Sequence, residues 1–88
     1  MEFAKSLSGH DKNHYYFVIK KEDGFLFLVN GTTRPLEKSK KKNEKHVQII
    51  KKLPSEVLEI LKEEQTGLTI KRAIERYEKL LNQKQEEN

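Results

Sequence analysis

Two short apolar runs with a turn between them constrain this chain more than any other feature. His14-Tyr15-Tyr16-Phe17-Val18-Ile19 and Phe25-Leu26-Phe27-Leu28-Val29 are aromatic and β-branched, as strands prefer. Glu22-Asp23-Gly24 marks a turn between them. Asn30-Gly31 follows the second run and is a strong hairpin signal, because a type I′ turn needs positive φ at both central residues. Thr32-Thr33-Arg34 then starts a third strand, which Pro35 confines to an edge or ends. Glu2 to Ser8 and His46-Val47-Gln48-Ile49-Ile50 supply two more. Five short strands with tight turns predict a small barrel, since closure hides their edges.

The pattern changes to a helical period after Lys52. Pro54-Ser55 starts a helix, with Pro54 near the first turn or Ser55 as N-cap. Val57, Leu58 and Leu61 form its apolar stripe. Gly67 is a natural stop, and Thr69 can cap a second helix. Ile70, Ala73, Ile74, Tyr77 and Leu81 recur on one face of that helix, with Lys71, Glu75 and Lys79 opposite. Residues 83–88 are polar and are expected to fray. The expected fold is therefore mainly β with an α tail: a small five-stranded barrel over residues 1–52, then a helical hairpin over 53–88 that packs on or beside it.

Length and composition narrow the function. A chain of 88 residues fits one domain and leaves little room for a deep, water-excluding active site. Cysteine is absent, which removes disulfides, thiolate metal sites and cysteine nucleophiles. No nucleophile elbow, Walker A pattern or dinucleotide fingerprint is present. No enzyme activity, cofactor, metal or small-molecule substrate is expected. The opening residues show no basic segment followed by an apolar run, and no stretch approaches a membrane span. The expectation is a soluble, cytoplasmic protein.

The charge is unevenly spread. Residues 34–52 hold eight bases against Glu37 and Glu44, a net +6, whereas the whole chain is +4. Lys38, Lys40, Lys41, Lys42 and Lys45 fall within a segment, 34–46, read as one basic loop. Flexible lysines suit an irregular line of phosphates, and Arg34 adds a planar fork for phosphate or a base edge. The bland alternative is a solvated loop that aids solubility.

Longer stretches carry a family resemblance. Ser8-Gly9-His10-Asp11-Lys12, Tyr16-Phe17-Val18-Ile19 and Phe27-Leu28-Val29-Asn30-Gly31 resemble a KOW motif. Arg34 to Val47, with its Glu37-Lys38 pair, lysine run and Lys45-His46, is similar to small bacterial KOW-domain proteins. Those are related to a large-subunit ribosomal protein family of archaeal and eukaryotic type. Thr69 to Tyr77 is similar to their C-terminal helix. The chain departs from the pattern at Ala4 and Asn13, where glycine is usual; Asn tolerates positive φ. The resemblance implies an SH3-like barrel that binds RNA, ribosomal RNA first, in a translation setting, with ribosomal proteins as further partners.

On this reading the RNA-binding candidates are Lys12, Arg34, Lys38, Lys40, Lys41, Lys42, Lys45 and His46. An outward-facing Tyr15 or Tyr16 can stack a base, although core packing is the commoner use of such rings. His10, Asp11 and His14 do not read as a metal site, because Gly9 and Asn13 argue for a loop. The alternative function is a protein-interaction module of SH3-like type that binds a peptide or partner protein, since fold does not decide function.

Overall fold

The computed structural model describes residues 2–86. Strands β1 (Glu2–Ser6), β2 (Tyr15–Glu22), β3 (Phe25–Val29), β4 (Lys40–Asn43) and β5 (Val47–Ile50) form one antiparallel sheet in the order β4-β3-β2-β1-β5. The sheet curls into a half-barrel. Helices α1 (Ser55–Leu61) and α2 (Gly67–Glu86) follow and pack on its outer face. A mainly β domain with an α tail thus forms, as the period change after Lys52 predicts.

Both faces of the sheet are buried, which explains why β2 reads as a continuous apolar run rather than an alternating one. Phe3, Phe17 and Val29 lie in one row across β1, β2 and β3 and pack against Val57, Ile70, Ala73 and Ile74 of the helices. Phe3 and Phe17 are fully buried, worth about 1.5–3 kcal/mol each. The inner face holds Ala4, Tyr16, Val18, Leu26, Leu28 and Val47. Tyr15 points outward from β2, but the outward face lies under α2. Its ring stacks on Phe3 at 5.6 Å and meets Tyr77 edge-on at 5.1 Å.

Turn chemistry decides where the hairpin lies. Asp23 and Gly24 have φ of 50° and 80° and join Glu22 to its partner Phe25. This two-residue, doubly positive turn is the type I′ geometry. Asn30-Gly31 does not form one, and Thr32-Thr33-Arg34 is not a strand. The Asn30 carboxamide oxygen instead accepts from the Thr32 and Arg34 amides at 3.0 and 2.8 Å, folding 30–34 into a compact loop. Gly31, at φ 78°, presses against the start of α2, where a Cβ would collide with the Gly67 carbonyl.

The fourth strand lies within the lysine run: segment 34–46 is not one loop but a 3-10 turn (Leu36–Lys38), strand β4 and a second 3-10 turn (Glu44–His46).

The helix ends also differ from expectation. Gly67 does not stop a helix but opens α2, and α1 already ends at Leu61. Thr66, not Thr69, caps α2: its hydroxyl oxygen accepts from the Thr69 amide at 3.3 Å, the N-cap arrangement. Thr69 is occupied with the Glu64 carbonyl at 2.6 Å. The apolar face of α2 is as read at Ile70, Ala73, Ile74 and Tyr77, but Leu80 rather than Leu81 packs against the core. Helix α2 continues through Glu86, and the last two residues of the stretch expected to fray lie outside the described residues.

Candidate nucleic-acid interface

The loop between β1 and β2, residues 7–14, forms the centre of the candidate surface. Gly9 (φ 84°) and Asn13 (φ 71°) take left-handed backbone, so Asn13 adopts the conformation for which glycine is usual. The Ser6 amide donates to the His14 carbonyl at 3.0 Å and the Asn13 amide to the Ser6 carbonyl at 2.8 Å, closing the loop at its base. This folds Asp11 inward until the residue is only 6% exposed.

A buried carboxylate needs partners, and β4 provides two. Lys40 Nζ lies 2.8 Å from Asp11 Oδ2, and Lys42 Nζ 2.9 Å from Oδ1. Lys42 also donates to the Ser8 carbonyl at 2.7 Å, and the Ser6 hydroxyl donates to Asp11 Oδ1 at 3.0 Å. Tyr16 donates to Oδ2 at 3.4 Å. Burial alone raises the Asp11 pKa, but the two lysines and Ser6 outweigh it and hold the carboxyl well below the usual range. Tyr16 is pushed up, by burial first and then by Asp11, while the nearby Arg34 charge pulls the other way.

Strand period explains this division of the lysines. Lys40 and Lys42 pair with Leu28 and Leu26, both inner-face residues, so their side chains turn toward the inner rim. Lys41 falls between them and turns outward, where its ammonium sits 4.5 Å from the Phe25 ring centroid. Sequence reasoning grouped all three as loop lysines. It weighed Asp11 beside His10 and His14 and not as a partner for lysines, and it did not single out Ser6, whose short polar side chain gives no periodic signal.

The remaining candidates surround this node. Lys12 and His10 project from the loop and are exposed. Lys38 is exposed in the 3-10 turn just before β4. Lys45 and His46 are exposed in the second 3-10 turn, which is tied to the loop by the Leu7 amide donating to the His46 carbonyl at 2.8 Å. Arg34 is half-buried, within electrostatic reach of Tyr16. Among the described residues Lys12, Lys38 and Lys45 make no ion pair. Asp11 cannot join His10 and His14 around a metal while its oxygens hold two ammoniums. Among the described residues no helix is long and apolar enough to cross a membrane. Neither the protein-family models nor the curated proteins compared with this chain match it.

Proposed function

We propose that the protein binds RNA, ribosomal RNA being the first candidate, through the rim formed by loop 7–14 and segment 34–46. The observation that carries this reading is the gathering of charge. These two stretches hold seven bases (Lys12, Arg34, Lys38, Lys40, Lys41, Lys42, Lys45) against three acids (Asp11, Glu37, Glu44), 7 − 3 = +4, equal to the net charge of the whole chain. The Asp11 node holds the two stretches together. Lys12, Lys38 and Lys45 are left free to meet phosphates, with Arg34 and His46 as hydrogen-bond donors beside them.

Binding on this reading is electrostatic and driven by counterion release. With about four phosphates neutralised, the log–log slope of affinity against salt on single strands is about −3. Lys12→Gln, Lys38→Gln and Lys45→Gln together should remove most of that slope and weaken all RNAs about equally, since phosphate contacts position rather than specify. Filter binding of a single-stranded RNA across a salt series measures both. A flat salt response in the wild type overturns the reading. Lys40 and Lys42 are unsuitable for this test, because their neutralisation also strips Asp11 of its partners.

A further inference from the structure

The helices do not cover the outer face of the sheet along its whole length. They pack on Phe3, Phe17 and Val29, but β3 extends beyond that row. Side chains alternate along a strand, so Phe25 and Phe27 share the outer side with Val29, opposite Leu26 and Leu28 of the inner face. Both rings are half-buried, and among the described residues neither packs against either buried cluster. What lies over them is lysine. Phe27 has Lys20 of β2 on one side and Lys41 of β4 on the other. The Lys20 ammonium sits 5.4 Å from the Phe27 ring centroid, and that of Lys41 4.5 Å from the Phe25 centroid. The next row is Glu22, Phe25 and Asn43. Glu22 is the one acid in these two rows and is ion-paired with Lys20 at 3.0 Å.

We infer that Phe25 and Phe27 form a platform on which two unpaired RNA bases stack, with Lys20 and Lys41 moving off the rings onto the flanking phosphates. The inference rests on the RNA reading above and names the form of RNA as single-stranded, because bases inside a duplex have no free face. Residues two apart on a strand lie about 6–7 Å from each other, so each ring takes one base of an extended dinucleotide. A stacked base adds about five- to 100-fold in affinity. An exposed ammonium over a ring contributes only about two- to fivefold, so the base wins the ring. Strand β4 is an edge of the sheet. It turns Lys40 and Lys42 to the rim and Lys41 to this face, so one RNA strand crossing β4 meets both. Two half-buried rings bounded by charged side chains offer too little apolar area for the core of a stable protein interface. A second copy on this face brings the Lys20 and Lys41 ammoniums of two chains together.

The test uses the full chain with a short single-stranded RNA of adenines and uracils, and the same RNA paired to its complement. Phe25→Leu with Phe27→Leu keeps two apolar side chains but removes both ring faces. Affinity of this double variant for the single strand should fall about tenfold or more. Its salt slope should stay at the wild-type value, because no charge has been removed, and its duplex affinity should stay within about twofold of wild type. A second measurement needs no variant: on the wild type, NMR signals of the Phe25 and Phe27 ring protons should shift on adding the single strand, while those of the buried Phe3 and Phe17 stay in place. Unchanged affinity in the double variant, an equal loss on the duplex, or unmoved ring signals each overturn the platform. If the wild type still shows a steep salt slope, they leave the RNA reading standing. No binding of either RNA overturns both. Ring shifts that follow protein concentration without RNA assign the face to a second copy and overturn the platform as well.

Discussion

Lys41 and Lys42 are adjacent residues of one type in one strand, yet they have opposite surroundings. Lys42, its side chain 11% exposed, is held by Asp11 and the Ser8 carbonyl. Lys41 lies exposed across the Phe25 ring. A charge withdrawn from water must keep its partner or it becomes a large penalty. A charge at the surface is screened and replaceable. The basic segment therefore contains two kinds of lysine. One kind fastens the β1–β2 loop to an edge strand, and the other is available to an outside ligand. Composition counts both alike; strand period separates them.

The largest break in this comparison should come from Asp11→Asn. It leaves two lysines facing a neutral amide at the inner rim, and urea unfolding should report a loss of about 3 kcal/mol. A loss below about 0.5 kcal/mol would show that the node does not hold the fold. The same variant sharpens the pH dependence. The folded-state pKa of Asp11 is depressed, so its contribution is fully present above the ordinary value of 3.8 and is lost as pH falls below it, because the unfolded chain then binds the proton more readily. Wild-type stability should drop steeply on acidification through that window. Asp11→Asn should give a flatter curve there, measured by circular dichroism melts across a pH series.

Next in size is the pair itself. Lys42→Gln should destabilise by about 2 kcal/mol through the loss of a charged hydrogen bond to a buried carboxylate. Lys41→Gln should cost about 0.5–1 kcal/mol, the worth of an exposed cation–π contact. Equal losses in thermal unfolding would erase the distinction. The smallest effect on stability should come from the triple Lys12, Lys38 and Lys45 neutralisation, within about 0.5 kcal/mol of wild type. That variant should nevertheless lose the most RNA affinity per charge removed, measured by filter binding at constant salt.

The legibility of this molecule follows the range of the forces involved. Helix α2 was readable because a 3.6-residue period over several turns is a repeated local signal. Strands β2, β3 and β5 were readable from their aromatic and branched residues, while β1, Glu2-Phe3-Ala4-Lys5-Ser6, carries only Phe3 of that kind. Strand β4 was not, since Lys40-Lys41-Lys42-Asn43 has neither apolar alternation nor β-prone composition; its partner β3 imposes the extended form. The choice between two hairpin signals also lay beyond local reading. Asp23-Gly24 and Asn30-Gly31 are near-equivalent turn dipeptides, but contact with α2 at Gly67 commits Gly31 to a different loop. The basic rim was legible as charge, while the division of its lysines was not.

The sequence by itself determined the change from β to α after Lys52, the apolar face of α2, and the concentration of positive charge in the middle of the chain. Each of these is a property of neighbouring residues, expressed through local period or composition. Only the tertiary structure decided that both faces of the sheet are covered, that Tyr15 lies under α2, and that Asp11 pairs with Lys40 and Lys42 at the inner rim. Those outcomes pair residues thirty or more positions apart, as Asp11 and Lys42 or Tyr15 and Tyr77 are. Nothing local foretells such a pair: it exists because a buried carboxylate requires a cation and the register of β4 places one there.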